Sequence, residues 1–171
     1  KVGTDCSGIE APIIALELLG INFIHEFSCD NDIFVKETVL YNYKPKIFYD
    51  NILTRNNKKL PDIDIYICGF PCQSFSTAGN REGFYKNTNE GIIFFKCLEV
   101  IKFKLPKFFI LENVKGLLTH EKGRTFEIII NLLYDLKKYN IYYKVLRTSD
   151  YGVPQKRDRV YIIGIRKDIQ K

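Results

Sequence analysis

Apolar residues in this chain fall into short, nearly unbroken runs, and between them lie longer stretches in which apolar positions recur every three or four residues. The runs "KVGTDC" (1–6), "FIHEFSCD" (23–30), "KIFYD" (46–50), "IDIYICGF" (63–70) and "KFFILEN" (107–113) predict strands. The stretches "APIIALELLG" (11–20), "NDIFVKETVLYNY" (31–43), "GIIFFKCLEVIKF" (91–103) and "RTFEIIINLLYDLKKY" (124–139) predict helices, the first opening at Pro12 and closing at Gly20. Two further β-rich runs, "YYKVLRT" (142–148) and "RVYIIGIR" (159–166), end the chain as an expected antiparallel hairpin. Near-continuous apolar strands alternating with amphipathic helices predict an α/β fold: a doubly wound, mostly parallel sheet covered on both faces.

At 171 residues and 46% hydrophobic types, the chain is long enough for one core-forming domain, 1–171, and short for two. It has no methionine and begins at Lys1 in a strand-like run, so it reads as a segment of a longer polypeptide. No apolar run approaches the ~20 residues of a membrane span, and a cytoplasmic protein with no membrane partner is expected. Five cysteines, odd in number and scattered, predict reduced thiols rather than a disulfide framework. A net charge of +6 is compatible with a polyanionic partner, and "QKRDR" (155–159) beside a Gly-Val-Pro turn is the local cluster that would meet phosphate.

In doubly wound sheets, ligands bind beyond the carboxyl ends of the strands. Those ends carry "DCSGIEAP", "CDND", "DNI", "GFPCQSFS" and "ENVKG". A Gly-containing turn after the first strand and Asp30 after the second form the arrangement in which a carboxylate holds ribose hydroxyls. One glycine stands where a dinucleotide site needs three, so a nucleoside without a diphosphate fits better than NAD. A helix cap is the alternative role for Asp30. Cys72, after a proline at a strand end, is placed to react as a thiolate, although a lone cysteine is more often a small hydrophobe. Cys68, four residues earlier, has poor spacing for a redox pair or for zinc, and no metal is expected. Glu112, leaving a buried strand, is expected to be desolvated and therefore suited to general acid work.

The motifs "GFPCQSFS", "ILENVKG" and "DYGVPQKRDRVYIIGIR", in this order and spread over essentially the whole chain, closely resemble those of the cytosine-5 DNA methyltransferase family, of bacterial or phage type. The resemblance implies a Rossmann-like methyltransferase domain that uses S-adenosylmethionine. Cys72 is then the nucleophile for carbon 6 of cytosine, Glu112 the acid at ring nitrogen 3, and Arg157 and Arg159 the basic pair that steadies Glu112, the flipped base and a phosphate. The cofactor-binding set it implies is Asp5, Cys6, Ser7, Gly8, Ile9, Asp30, Asn31, Asp50, Asn51, Gly69, Pro71 and Ile93. Two departures stand out: the family usually shows Phe-x-Gly-x-Gly after the first strand, whereas this chain has Cys6 for the aromatic and Glu10 for the second glycine.

By the same resemblance the partner is double-stranded DNA. The target recognition domain and closing motifs lie outside these residues, either in further chain or in a second polypeptide, and a cognate restriction endonuclease is a possible companion. A tRNA cytosine-5 methyltransferase of the same family, a non-catalytic half of a split enzyme and, more distantly, a dinucleotide-dependent oxidoreductase are the competing readings.

Overall fold

The computed structural model describes residues 1–71 and 91–169. Its strands are β1 (Val2–Asp5), β2 (His25–Cys29), β3 (Ile47–Tyr49), β4 (Ile65–Cys68), β5 (Phe108–Val114), β6 (Tyr139–Arg147) and β7 (Asp158–Arg166). They alternate with helices α1 (Ala11–Leu18), α2 (Ile33–Asn42), α3 (Gly91–Lys104) and α4 (Arg124–Asp135). One sheet forms, in the order β3-β2-β1-β4-β5-β7-β6. The first five strands are mutually parallel, and β7 runs antiparallel to both β5 and β6. The mostly parallel sheet and the terminal hairpin expected from the sequence are both present.

From β1 the chain winds one way, through α1 to β2 and α2 to β3, and then crosses back to β4 and winds the other way through α3 to β5. Right-handed crossovers place helices of the two directions on opposite faces of the sheet. The reversal lies between β1 and β4, and the crevice at their carboxyl ends is where such a fold binds ligands.

The larger core lies on the α3 and α4 face, where Tyr66, Cys68, Phe109, Leu111 and Ile162 of the sheet meet Phe94, Cys97, Ile101, Ile129 and Leu133 of the helices. The α1 face holds a small core of Val2, Ile13 and Leu16. Farther along that face the covering stops. Phe108 and Ile163 remain 38% and 37% exposed, and β5 alternates buried with half-exposed positions along its length. The sheet is thus wound on both sides, with one side half open over β5 and β7.

Local chemistry explains most element ends. Asp32 caps α2 by accepting from the Phe34 and Val35 amides. Gly20, at φ +65, lets the chain leave α1 with its amide on the Glu17 carbonyl. The fourth helix departs from expectation, ending at Asp135 rather than running to residue 139. Lys137 turns left-handed at φ +57, and Tyr139 pairs with Arg166 as the first residue of β6. Tyr139 keeps helical spacing from the apolar residues before it, but burying its ring on Phe109, with its hydroxyl on the Pro106 carbonyl at 2.8 Å, overrides that local pattern.

Where β7 crosses β5, Gly164 lies over the Phe109 ring, and a methyl group built on Gly164 would fall 2.0 Å from Phe109 Cε1. Gly164→Ala is expected to destabilise the domain by about 1–3 kcal/mol through overpacking. Urea unfolding should show the loss, and Phe109→Leu in the same chain should recover part of it.

Candidate active site

The turn between β1 and α1 builds the crevice wall. Cys6, Gly8 and Glu10 adopt φ values of +49, +50 and +59, so alternate residues are left-handed and the loop folds tightly over the strand end. Its position is fixed from β2, with the Ser7 amide donating to the Cys29 carbonyl at 3.2 Å and the Gly8 amide to Asp30 Oδ2 at 3.1 Å. Under the turn opens a cavity of about 440 Å³ lined by Cys6, Gly8, Asp30, Asn31, Asn51, Gly69, Pro71, Ile93 and the apolar Ile52 and Leu53. That volume falls within the range of roughly 300–1,000 Å³ for small-molecule sites. Asp30 is not the cap of α2, because Asp32 has that role and itself donates its amide to Asp30 Oδ1. Among the described residues Asp30 has two backbone N–H partners and no cation, and it faces the cavity.

A second cavity of about 640 Å³ adjoins the first, sharing Cys6, Gly8 and Gly69, and extends along α1 across the open sheet face to Glu112, Arg157 and Tyr161. Asp5, Ser7 and Ile9 line this second space. Asp50 lines neither cavity: its carboxylate is bound to Lys36 at 2.7 Å on the surface.

The Asp5 carboxylate is fully buried and committed. Arg55 reaches both of its oxygens at 2.5 Å, and the Tyr66 hydroxyl donates to Oδ2 at 2.6 Å. The guanidinium lies against the rings of Phe27 and Tyr49, with centroids at 5.2 and 5.4 Å, and its Nε donates to Asn57 Oδ1. Asn57 in turn donates to Glu99 on α3. Asp5 therefore shapes the crevice through Arg55, a residue that sequence reading did not single out. Its position in a polar stretch, "NILTRNNKK", gives no hint of burial.

At the end of β5, Glu112 Oε1 meets Arg159 Nε at 2.9 Å, with side-chain exposures of 27% and 22%. The carboxyl is neither as dry as its strand suggested nor alone. Gly69 faces it, and a methyl group on Gly69 would lie 3.3 Å from Glu112 Oε2. Asn113, also missed in the sequence, donates at 2.7 Å to the Phe70 carbonyl and so fixes the backbone that leads into Pro71. Tyr161, whose phenol burial and Glu112 push upward in pKa, closes this corner of the second cavity with Arg157. Cys72 itself lies outside the described residues. Of the other thiols, Cys29 and Cys68 are buried and pushed well above the usual thiol range, and Cys97 lies buried against Cys68.

The carboxyl of Glu10, absent from the expected site set, is fully buried. It accepts from Thr4 Oγ1 of β1 and Ser28 Oγ of β2, both at 2.6 Å. Burial is the main cause that raises its pKa to about 7, opposed by these two hydrogen bonds and assisted by Asp30 and Asp5.

A family model for the C-5 cytosine-specific DNA methylase matches residues 6–171. The Type II methyltransferase M.SsoII of Shigella sonnei is 46% identical over 143 residues, which are 83% of this chain and 36% of that protein. M.NgoBI of Neisseria gonorrhoeae is 42% identical over 163 residues, 95% of this chain and 50% of that protein. The chain therefore spans about a third to a half of the length of these curated relatives. Among solved structures, the S. pombe Dnmt2 methyltransferase superposes with a TM-score of 0.75 at 22% identity, covering 99% of this chain and 51% of that one, a likeness of fold.

Two outcomes follow from the buried acids. Arg55→Ala strands the Asp5 charge and is expected to cost about 3–5 kcal/mol, whereas Arg55→Ala combined with Asp5→Asn should recover part of it in chemical denaturation. Glu10 is held at a pKa of about 7 in the fold against 4.5 when exposed. The native state thus binds the proton more tightly, and this contribution is present in full below about pH 4.5 and lost as pH rises through about 7. Unfolding free energies across that window should fall by on the order of 3 kcal/mol more in the wild type than in Glu10→Gln.

Proposed function

Since this chain belongs to the C-5 cytosine-specific DNA methylase family, we propose that it is the catalytic, cofactor-binding part of a DNA cytosine-5 methyltransferase, acting on a cytosine flipped out of the duplex. The observation that carries the reading is the Glu112 and Arg159 pair at the end of β5. It stands across Gly69 from a nucleoside-sized cavity whose unpaired acid is Asp30.

The residues of the first cavity fit S-adenosylmethionine. Asp30 would hold the ribose hydroxyls, as a carboxylate at the end of the second strand does in nucleoside sites. Asn51, Ile52, Leu53 and Ile93 offer one polar edge and apolar faces to the adenine, while Cys6 is small where the family usually has an aromatic wall. When bound, the cofactor supplies an electrophilic methyl on its sulfonium.

The chain's own residues supply the rest. The Cys72 thiolate adds to carbon 6 of the base while Glu112 gives a hydrogen bond or proton to ring nitrogen 3, so the charge pushed into the ring is neutralised as it forms. Arg159 holds Glu112 in place, and Arg157, exposed at the mouth of the second cavity, would meet the base or a phosphate. Carbon 5 of the resulting enamine accepts the methyl and loses its proton. With the carbon 5 proton passed to water, Cys72 leaves as thiolate and ring nitrogen 3 returns its proton to Glu112, which restores the ring.

Target recognition belongs to additional polypeptide in this proposal, in the same chain or a second one, since the matched residues make up 36% and 50% of these two relatives. The half-open sheet face around Phe108, Ile110 and Ile163 offers it apolar surface. Double-stranded DNA is the substrate, and a cognate restriction endonuclease is the expected companion of a Type II system. Among the described residues no helix is long and apolar enough to cross a membrane, in keeping with action on cytoplasmic DNA.

The test is a mechanism-based trap. The complete polypeptide, given S-adenosylmethionine and duplex carrying 5-fluorocytosine at the target, should form an adduct that survives denaturant. Cys72→Ser should form none. Glu112→Gln should slow adduct formation by about 10²-fold or more, the scale of general acid contributions. An undiminished adduct in Cys72→Ser would overturn the assignment.

A further inference from the structure

Glu10 takes no part in the chemistry just described, yet it is the residue on which the cofactor turn is built. It is left-handed at φ +59, a conformation glycine adopts freely and other residues rarely do. Its amide donates to the Ser7 carbonyl at 2.9 Å, and its own carbonyl accepts from the Ile13 and Ile14 amides, opening α1. Its side chain turns inward to take Thr4 from β1 and Ser28 from β2 on one carboxyl oxygen. The other oxygen, Oε2, is buried without a partner, as is the hydroxyl of Ser7. One residue thus joins two strands, the turn and the helix.

Joining them does not require an acid. An amide of the same shape could accept the same two hydroxyls, so the charge calls for a separate explanation. The ionisable neighbours facing Glu10 are Asp5 on β1, Asp30 beyond β2 and His25 on β2. Asp5 is already neutralised by Arg55, and Tyr66 of β4 adds only a hydroxyl to it. His25 Nε2 lies 3.7 Å from Glu10 and 3.0 Å from Ser28 Oγ, and burial lowers the His25 pKa, so it is neutral near pH 7. Glu112 of β5 and Arg157, the residue before β7, border the second cavity. Among the described residues, two acids, Glu10 and Asp30, therefore flank the turn with no cation of their own. Glu10 contributes no surface to either cavity, whereas Gly8, Ile9 and Ala11 beside it do.

We propose that Glu10 is a positioning and charge-setting residue of the cofactor site: its carboxyl holds the Ser7 to Ile9 turn against Asp30 and favours a cationic over a neutral occupant of the cavity. S-adenosylmethionine carries a sulfonium, and S-adenosylhomocysteine, the thioether left after transfer, does not. The anionic form of Glu10 thus retains the methyl donor and assists release of the spent product. The inference rests on the reading of the cavity as the S-adenosylmethionine site. A positive charge in the cavity stabilises the carboxylate, so binding of the donor is coupled to loss of the Glu10 proton, and donor affinity relative to product rises as pH passes about 7.

The experiment is calorimetric titration of both ligands into the chain from about pH 6 to about pH 8, in buffers of different ionisation enthalpy. The ratio of donor to product affinity should rise by about threefold or more in the wild type, and donor binding should release protons, beyond any change in Glu10→Gln, which keeps the ionisation of the ligands and of His25. Ser28→Ala removes a hydrogen bond that lowers the Glu10 pKa and should shift the midpoint of the rise to higher pH, a test that stands even if Glu10→Gln fails to fold. Asp30→Ala should weaken both ligands together and keep a pH-dependent rise, with its midpoint moved to lower pH because the Asp30 charge helps raise the Glu10 pKa. Equal trends in wild type and Glu10→Gln, or an unmoved midpoint in Ser28→Ala, would overturn the proposal for Glu10 alone. If neither ligand binds the wild type, or Asp30→Ala binds both as tightly, the reading of the cavity falls and this inference with it.

Discussion

The Asp5 carboxylate, dry at the end of the strand where the sheet reverses direction, is tolerated because Arg55 meets both its oxygens and Tyr66 donates to one of them. A buried charge lacking such partners would cost several kcal/mol. The pair also joins elements far apart in sequence. Arg55 comes from the connection between β3 and β4, lies against the Phe27 ring of β2 and the Tyr49 ring of β3, and continues through Asn57 to α3. The crevice walls are therefore held to one another through the same buried contact that neutralises Asp5, and the turn between β1 and α1 follows directly from it in the chain.

Four acids around this crevice show how surroundings assign roles to one functional group. Asp5, saturated by Arg55, is structural. Asp30, held by backbone amides, faces the cavity without a cation among the described residues. Glu112, half-buried and paired with Arg159, faces Gly69 at the edge of the second cavity. Glu10, buried with one oxygen unpartnered, is held near its titration point. Charge, burial and partner separate these roles more clearly than residue type does.

Glycines accomplish the close approaches. Gly69 leaves room for Glu112 at the end of β4, and Gly164 leaves room for the Phe109 ring where β7 crosses β5. At Glu10 the opposite choice was made. A left-handed position usually suited to glycine carries a side chain, and the backbone strain is offset by two short hydrogen bonds to the strands beneath.

By itself the sequence determined what depends on local pattern and covalent order. Apolar runs marked the strands, Pro12 and Gly20 bounded α1, and the strand ends pointed to Asp30 and Glu112, because in a wound sheet those ends face the ligand whatever the side-chain packing. The motif residues around Pro71 and Arg159 were legible for the same reason. Tertiary structure decided the rest. Asp32 rather than Asp30 capped α2, Tyr139 left its helix for a strand once β7 and Phe109 were available to it, and Asp50 turned outward to Lys36. Arg55, Asn113 and the ionisation of Glu10 could not be read in advance. Each depends on partners tens of residues away or on being removed from water, and neither is written in the spacing of a single chain.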